Sequence, residues 1–175
     1  ADCGPAIISL SQDVQGEAFD YPEVFFEEKI HEIRRIHPDP RQIERAAEQI
    51  KKSKQPIIIS GGGVLYSEAE TELSEFAKKH NIPVTPTVMG IGCMDRDDPY
   101  YIGAIGCLGE GSSNSLSKDT DMALAVGTKL GDFTTGSWSN FHNPDFQLVS
   151  INTARFDVTK HRATPVISDA KIGLK

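Results

Sequence analysis

The chain has 175 residues, of which 38% are apolar and 25% are charged, a composition typical of one globular domain. Its net charge of -7 and pI near 5.2 argue against nucleic acid or an anionic membrane surface as a partner, because those partners need clustered Lys and Arg. No apolar run approaches the roughly 20 residues of a membrane span, and Cys3, Cys93 and Cys107 predict neither a disulfide framework nor a zinc site. We therefore expect free thiols in a cytoplasmic protein.

The first 38 residues predict only isolated elements. Residues 6–10 have a strand pattern without a partner strand nearby, so we expect residues 1–15 to contribute the terminal strand of a preceding domain. Residues 16–38 are expected to form a linker that ends before the prolines at 38 and 40. A helix is predicted inside this linker from apolar residues at i, i+4 and i+7 spacing: Phe26, Ile30 and Ile33.

A regular alternation of helices and strands begins at Asp39. Asp39 suits a helix N-cap, Pro40 suits the first helical position, and Gln42 is placed to complete a capping box. The apolar stripe of this helix consists of Ile43, Ala46, Ala47 and Ile50. The pattern predicts a helix that packs on a sheet.

The next element is a buried strand that runs into a glycine turn. Residues 57–59 are three consecutive isoleucines, as expected of a parallel strand that is covered on both faces. Gly61, Gly62 and Gly63 follow, and Ser67 with Glu70 predicts a second capping box. The inward face of that helix is predicted to hold Ala69, Leu73, Phe76 and Ala77.

Further strand patterns complete an α/β domain. They cover residues 82–88, 100–105, 121–126, 147–152 and 165–168, with a short helix over residues 112–118. The prolines of the 82–88 segment favour the start or the edge of a sheet. Residues 39–175 are therefore expected to form a Rossmann-like, doubly wound parallel sheet of about six strands with helices on both faces.

Glycine-rich turns follow three of the predicted strands and indicate a crevice at the carboxyl edge of the sheet. The candidate cofactor-binding residues of this crevice are Gly61, Gly62, Gly63, Gly106, Gly109, Gly127, Lys129 and Asp132. The dinucleotide fingerprint is incomplete, since Tyr66 occupies its third glycine position and no acidic residue ends the 82–88 strand. Two interpretations remain: purely structural turns, or contacts with a nucleotide-like ligand.

No catalytic or metal-binding set of residues is predicted. The histidines His31, His37, His80, His142 and His161 are scattered without partners at metal-ligand spacing. Asp95, Asp97 and Asp98 form an acidic turn that Arg96 interrupts, which is more typical of a solvated loop than of a cation site. Neither a serine nucleophile elbow nor a phosphate-binding loop occurs, and Phe133, Trp138 and Phe141 are more typical of packing than of ligand stacking.

These motifs resemble the central domain of thiamine-diphosphate-dependent enzymes, the family of acetolactate synthase and pyruvate oxidase. The segments that carry the resemblance are residues 37–40, 56–63, 82–84, 90–92, 101–103, 121–127 and 168–170. Residues 4–14 are similar to the final strand of the family's preceding, pyrimidine-binding domain. More narrowly, residues 19–27 with 33–35, and residues 126–136, resemble the trihydroxycyclohexane-1,2-dione hydrolases of myo-inositol breakdown.

The narrower resemblance implies a homo-oligomeric cytoplasmic enzyme in which a thiamine ylid opens a cyclic 1,2-diketone hydrolytically to a deoxy-glucuronic acid. It also implies thiamine diphosphate and magnesium, held by the pyrimidine- and diphosphate-binding domains of the same chain. The activating Glu of the one domain and the Gly-Asp-Gly…Asn motif of the other are not found in this sequence. The segment by itself is therefore expected to be inactive and to hold no cofactor.

Some members of the family bind FAD or ADP in the central domain. In the corresponding loop of this chain Lys129 replaces one Arg and Phe133 replaces a second, which weakens the planar contacts expected with flavin phosphates. An FAD- or ADP-binding central domain of an acetolactate synthase-like enzyme is the alternative interpretation. An NAD-consuming deacylase on a similar sheet is disfavoured, because its paired zinc cysteines do not occur.

Overall fold

The computed structural model describes residues 5–30, 32 and 34–175, which divide into two compact units, residues 1–34 and 35–175. Among its described residues, the first unit has one short helix, α1 (Gln12–Gln15), and one 3-10 turn (Glu23–Phe26). The strand predicted over residues 6–10 is not formed, since residues 5–10 have no regular structure and pair with none of the described strands. The reason is physical: a strand satisfies its backbone groups only beside another strand.

The helix predicted from Phe26, Ile30 and Ile33 is also wrong. The 3-10 turn ends at Phe26, Glu27 has extended backbone with φ -68° and ψ 136°, and Ile33 lies outside the described residues. Aromatic packing shapes the turn, because the ring centroids of Tyr21 and Phe25 are 4.9 Å apart and those of Phe25 and Phe26 are 5.3 Å apart. The apolar residues that suggested a helical stripe thus belong partly to an aromatic cluster.

A parallel sheet forms the centre of the second unit. Its strands are β1 (Pro56–Ser60), β2 (Val84–Pro86), β3 (Met122–Val126), β4 (Gln147–Asn152) and β5 (Thr164–Ile167). The strand order is β2-β1-β3-β4-β5, and every neighbouring pair is parallel. The order reverses between β1 and β3, which is the point where open α/β sheets bind ligands.

Both faces of the sheet are covered, which confirms the doubly wound α/β prediction. The helices of this unit are α2 (Pro40–Lys52), α3 (Gly62–Tyr66), α4 (Glu70–His80), α5 (Gly111–Asp119), α6 (Asp132–Thr135), α7 (Arg155–Thr159) and α8 (Ala170–Gly173). Along β1, Ile58 belongs to one core layer and Ile57 and Ile59 belong to the other. Within the described residues, none of the helices has both the length and the apolar character needed to cross a membrane.

The sheet of the described chain has five strands instead of about six, because residues 100–105 do not form one. Only a single bridge joins Tyr101 to Val84, where the Val84 N–H donates to the Tyr100 carbonyl at 2.7 Å. The extended backbone then stops at Gly103, whose φ of 90° lies in a region that glycine adopts readily. The segment runs beside the edge strand β2 and makes two further hydrogen bonds with it, from the Ile102 N–H to the Val84 carbonyl and from the Ile105 N–H to the Pro86 carbonyl, both at 3.0 Å, but these do not form a regular ladder. The prolines correctly indicated that β2 is an edge strand.

The start of α2 is partly as predicted. Asp39 is the N-cap, with its Oδ1 accepting from the Arg41 N–H at 2.8 Å, and Pro40 occupies the first turn. The predicted capping box is wrong, because the Gln42 Oε1 accepts from the Ile167 N–H at 2.9 Å. Gln42 therefore connects α2 to β5 instead of closing its own helix.

The second capping box, predicted from Ser67 and Glu70, is also wrong. The glycine turn after β1 leads directly into α3, and Ser67 follows the last residue of that helix. Helix α4 begins at Glu70 with Ala69 as an N-cap that makes no side-chain hydrogen bond. Glu68, at φ 52°, turns the chain from one helix to the next. The inward positions of α4 are confirmed, since Leu73 and Ala77 are fully buried.

Candidate functional site

The turns after β1 and β3 meet where the strand order reverses. The Gly61 N–H donates to the Val126 carbonyl at 2.8 Å, and the Gly63 N–H donates to the Gly127 carbonyl at 2.9 Å. A cavity of about 330 Å³ opens beside these turns. We call it the carboxyl-edge crevice; it is lined by Gly62, Gly63, Thr87, Val88, Met89, Ile105, Gly127, Thr128, Lys129, Gly131, Phe133 and Thr134.

Four of the eight candidate residues line this crevice: Gly62, Gly63, Gly127 and Lys129. Glycines are needed at these positions because two backbone turns approach each other closely, and this explanation requires no bound ligand. A Cβ on Gly61 would lie 2.4 Å from the Gly127 carbonyl oxygen, and one on Gly63 would lie 2.6 Å from the Gly127 Cα. Any larger residue at these positions would separate the ends of β1 and β3.

Gly106 and Gly109 serve loop packing outside the lining of the crevice. A Cβ on Gly106 would lie 2.2 Å from the Phe133 carbonyl oxygen, and one on Gly109 would lie 2.4 Å from the Ala104 carbonyl oxygen. The side chain of Asn114 holds this loop, because its Oδ1 accepts from the Gly106 N–H at 3.0 Å and its Nδ2 donates to the Gly106 carbonyl at 2.9 Å. Sequence reasoning did not single out Asn114, since nothing local marks an amide that binds eight residues away.

The polar candidates of the crevice have separate roles. Lys129 is an exposed cation in the lining, whereas Asp132 accepts a hydrogen bond from the Ser137 hydroxyl at 2.9 Å and lies outside the lining. Phe133 lines the crevice and is 71% exposed. The lining includes threonine hydroxyls but no carboxylate, imidazole or thiol. The crevice can therefore admit a small planar or anionic group, with Lys129 as the cation that its lining supplies.

The thiols that the structure describes are free, as predicted. Cys93 is buried and Cys107 is exposed, while Cys3 lies outside the described residues. The Cys93 Sγ is 2.9 Å from the Oγ of Ser60, the last residue of β1, and burial raises the pKa of the Cys93 thiol. A thiol with a raised pKa holds little thiolate at neutral pH, so Cys93 is suited to packing and not to nucleophilic attack.

The acidic turn of residues 95–98 is fixed by the contacts of Asp98, its last residue. The carboxylate of Asp98 pairs with the Lys78 Nζ at 3.1 Å, accepts from the Ser74 hydroxyl at 3.1 Å and accepts from the Tyr100 N–H at 3.0 Å. The Tyr100 bond is the largest influence that holds the pKa of Asp98 below its ordinary value, although burial opposes it. Across the part of the chain that the structure describes, no group of three or more His, Cys, Asp or Glu side chains is placed to hold a metal ion.

The histidines in the described part of the chain are not among the residues that line the crevice. His80 packs on Phe76 with ring centroids 4.5 Å apart, and His161 packs on Trp138 at the same distance. Neither ring is part of the crevice lining, and His31 lies outside the described residues.

A buried polar junction was not predicted from the sequence. The Asp169 Oδ2 accepts from the Arg35 Nη1 at 3.0 Å and from the Ser67 hydroxyl at 2.9 Å, while its Oδ1 accepts from the Lys171 N–H at 3.0 Å. The Arg35 Nη1 also donates to the Ser67 carbonyl at 2.6 Å. This junction connects Arg35, at the start of the second unit, to residues that follow α3 and β5. Its charged groups hydrogen-bond to one another, so its role is structural.

Comparison with known proteins identifies the family. The sequence model described as "Thiamine pyrophosphate enzyme, central domain" matches residues 43–175. The chain belongs to this family. The resemblance inferred from the sequence motifs is thereby confirmed, and the five-stranded parallel sheet is the fold in which this domain is built.

The curated relatives support a narrower comparison. The chain is 45% identical over 174 residues to a protein of Clostridium tetani and 44% identical over 171 residues to one of Clostridium botulinum, both named 3D-(3,5/4)-trihydroxycyclohexane-1,2-dione hydrolase. A Bacillus cereus protein, 41% identical over 174 residues, carries the same name with the number 1. These matches cover 98–99% of this chain but only 27% of each relative. The chain thus spans about a quarter of the length of the relatives that it matches.

A solved structure supports the fold. An X-ray structure of a candidate thiamin diphosphate-dependent enzyme from Mycobacterium smegmatis superposes with a TM-score of 0.64 at 18% sequence identity. The match covers 83% of this chain and 28% of that protein. At this identity the likeness concerns the fold alone.

Proposed function

We propose that the chain is the non-catalytic central domain of a thiamine-diphosphate-dependent hydrolase that opens trihydroxycyclohexane-1,2-dione to a deoxy-glucuronic acid in myo-inositol degradation. The observation that carries the proposal is the 41–45% identity, over nearly all of the chain, to proteins of that name. The glycine turns beside the carboxyl-edge crevice support a structural role, because a Cβ on Gly61 would lie 2.4 Å from the Gly127 carbonyl oxygen and one on Gly63 would lie 2.6 Å from the Gly127 Cα.

The proposal assigns the chemistry to other domains of the same polypeptide. Thiamine diphosphate and magnesium are held by the pyrimidine- and diphosphate-binding domains, and the residues described here supply no acidic cluster of the kind that holds a metal. No step of the reaction is therefore assigned to a residue of this chain. In the proposed organisation, residues 1–15 end the pyrimidine-binding domain, residues 16–38 form a linker, and residues 39–175 form the central domain of a cytoplasmic homo-oligomer.

Exposed apolar side chains of the first unit support the presence of covering domains. The most exposed of them, each at least 70% accessible, are Ile7, Ile8, Phe19, Phe26 and Ile30. Exposed apolar groups in such number are characteristic of surfaces that another part of a protein covers. In the proposed organisation the flanking domains provide that cover.

The eight glycine, lysine and aspartate candidates remain a proposed crevice only. An FAD- or ADP-binding domain of an acetolactate synthase-like enzyme is the alternative, and Lys129 with the exposed ring of Phe133 is the observation that favours it. One lysine supplies a point charge, whereas a bound diphosphate is better matched by the planar, bidentate fork of Arg. The hydrolase proposal is therefore preferred.

The test of the proposal is an assay of the purified full-length protein with trihydroxycyclohexane-1,2-dione. We expect hydrolysis that requires added thiamine diphosphate and magnesium, and no hydrolysis by residues 1–175 alone. Turnover without thiamine diphosphate, or turnover by this chain alone, would show that the proposal is wrong. A yellow protein with bound flavin would favour the alternative.

A further inference from the structure

A second cavity lies at the opposite edge of the sheet. Its volume is about 440 Å³, and we call it the amino-edge pocket. It is lined by Gln49, Trp138, Phe146, Gln147, Leu148, His161, Arg162 and Thr164. Gln147 and Thr164 are the first residues of β4 and β5, so the pocket opens where these strands begin, away from the carboxyl-edge crevice.

One wall of the amino-edge pocket is aromatic. The rings of Trp138 and His161 have centroids 4.5 Å apart at an interplanar angle of 55°. Phe146, also in the lining, stacks on Phe141 at 4.6 Å, and Phe141 contacts Trp138 at 5.6 Å. Burial, and then the charge of Lys160, lowers the pKa of His161, so its imidazole is neutral at pH 7. A neutral ring pair of this kind suits contact with the face or the edge of a planar ligand.

Two polar groups of the pocket are left without partners in the described part of the chain. The Gln49 Oε1 is buried and accepts no hydrogen bond. Among the described residues, no carboxylate lies within 4.0 Å of the Arg162 guanidinium. A buried acceptor without a donor is uncommon in folded proteins, because it has lost its water without replacement. The pocket therefore offers one buried acceptor that lacks a donor and one exposed cation that is available to an anionic ligand.

Backbone strain is concentrated beside this pocket. Of the seven non-glycine residues with positive φ in the described chain, four lie here in two pairs: Ser137 (53°), Trp138 (66°), His161 (58°) and Arg162 (58°). The left-handed region disfavours residues with a Cβ, and bulky residues in it are uncommon. Such strain persists where the surroundings hold it, and it clusters at ligand sites. Here it positions the two rings and the guanidinium of the same cavity.

We infer that the amino-edge pocket binds a small molecule that combines a flat aromatic ring with an anionic group. The ring lies against Trp138 and His161, the carboxylate or phosphate pairs with Arg162, and a hydroxyl or ring N–H donates to the Gln49 Oε1. The cavity volume is within the range of pockets that enclose small ligands. The inference concerns a site separate from the proposed diketone chemistry and does not depend on it.

The test uses isothermal titration calorimetry on the full-length protein, saturated with thiamine diphosphate so that its cofactor site is blocked. The probe is 6-hydroxy-2-naphthoate, which has a flat ring, a carboxylate and a hydroxyl donor. The comparison ligands are 2-naphthol, which lacks the anion, and acetate, which lacks the ring. 2-Naphthyl phosphate distinguishes a phosphate site from a carboxylate site, because the better-fitting anion binds more tightly.

We expect the wild-type protein to bind the probe at least tenfold more tightly than either comparison ligand. Arg162→Gln should weaken binding of the probe by about tenfold, the loss expected for a charge-assisted hydrogen bond, and should leave 2-naphthol unaffected. Trp138→Leu should weaken both aromatic ligands. Arg155→Gln is the matched control, since Arg155 is an exposed arginine of α7 outside the pocket lining, and it should behave as wild type.

Three results would overturn the inference. The first is no binding of the probe or of 2-naphthyl phosphate by the wild-type protein at ligand concentrations up to about 1 mM. The second is binding that Arg162→Gln leaves unchanged but Lys129→Gln abolishes, which would place the ligand in the carboxyl-edge crevice. The third is a change of oligomeric state in Arg162→Gln, measured by light scattering, which would show that the pocket is a subunit contact. Arg162 is exposed, so its variant keeps the test valid even if Trp138→Leu fails to fold.

Discussion

At the scale of single residues, Asp121 shows how one carboxylate fixes a turn before the sheet. It accepts from the Ser53 hydroxyl, from the Lys54 N–H at 2.8 Å and from the Gln55 N–H at 3.1 Å. Burial raises the pKa of Asp121, but these hydrogen bonds together outweigh burial and hold the pKa below its ordinary value. The carboxylate thus joins the end of α2 and the approach to β1 to the start of β3.

The sign of the pKa shift predicts a stability that depends on pH. A carboxylate with a lowered folded-state pKa stabilises the folded state above its unfolded-state pKa, and this contribution is lost as the pH falls through the folded-state pKa. Asp121→Asn should therefore lower the free energy of unfolding by about 1.5–3 kcal/mol at pH 7, and the difference from wild type should shrink below about pH 4. Urea unfolding at pH 7 and pH 3 measures both effects.

The matched control for this prediction is the exposed Asp119, whose replacement by Asn should change the free energy of unfolding by less than about 0.5 kcal/mol. The wild-type protein and Asp121→Asn should differ less in their free energy of unfolding at pH 3 than at pH 7. A difference that stays constant down to pH 3 would contradict the role assigned to Asp121.

At the scale of elements, the junction around Asp169 connects parts that are distant in sequence. Asp169 caps α8, binds the hydroxyl of Ser67 after α3, and pairs with Arg35 at the start of the second unit. Its side chain is 10% exposed, and that of Arg35 is 33% exposed. Removing the carboxylate takes away the nearer of the two anions that pair with the partly buried guanidinium and leaves it with the exposed Glu68 at 3.7 Å, which is costly.

We expect Asp169→Asn to lower the free energy of unfolding by about 2–4 kcal/mol, because it removes the charge that several donors share. Hydrogen exchange should accelerate at the Lys171 amide and at the amides of α8, which lose their cap. Asp145→Asn, an exposed loop substitution, serves as the control and should leave both measurements unchanged. If the α8 amides of Asp169→Asn exchange hydrogen as slowly as those of the wild-type protein, the role assigned to this junction is contradicted.

The elements also show which parts of the fold the sequence could predict. The mainly apolar centres of β3 and β4 predicted both strands within one residue of their observed bounds, because a buried parallel strand has a plain local signature. The segment 100–105 has a similar composition, yet Gly103, at φ 90°, interrupts its extended backbone, so the segment makes only separate hydrogen bonds with β2. Residues 6–10 lack a neighbouring strand, and α3 begins with two glycines that are poor helix formers. These failures arise where partners or backbone turns decide the outcome.

For the candidate site, the sequence predicted the position of the crevice but not the function of its glycines. The position of the crevice follows from parallel strands and the glycine turns after them, and Gly62, Gly63, Gly127 and Lys129 do line it. The function of the glycines could not be predicted, because their closest neighbours are backbone atoms from another turn. The amino-edge pocket had no signature in the sequence, since left-handed backbone at Trp138 and Arg162 is set by tertiary packing.

At the scale of the whole molecule, the chain is one part of a larger catalytic arrangement. It spans 27% of the relatives that it matches, and its family is defined as a central domain of thiamine pyrophosphate enzymes. In the proposed organisation, its doubly wound sheet with tightly packed turns supports the neighbouring domains. In the proposed organisation the reactive groups lie in the other domains, so we expect that the crevice of the central domain can be altered without loss of chemistry.

The most direct test of this claim is the kcat of the full-length protein carrying Lys129→Gln and Thr134→Ala in the carboxyl-edge crevice, assayed with trihydroxycyclohexane-1,2-dione at saturating thiamine diphosphate. Because these residues are not expected to touch the reacting atoms, kcat should stay within about twofold of wild type, whereas loss of a general acid or base costs about 10²–10⁴. A fall in kcat of a hundredfold or more, in a variant that is folded and saturated with the cofactor, would contradict the non-catalytic role of this domain.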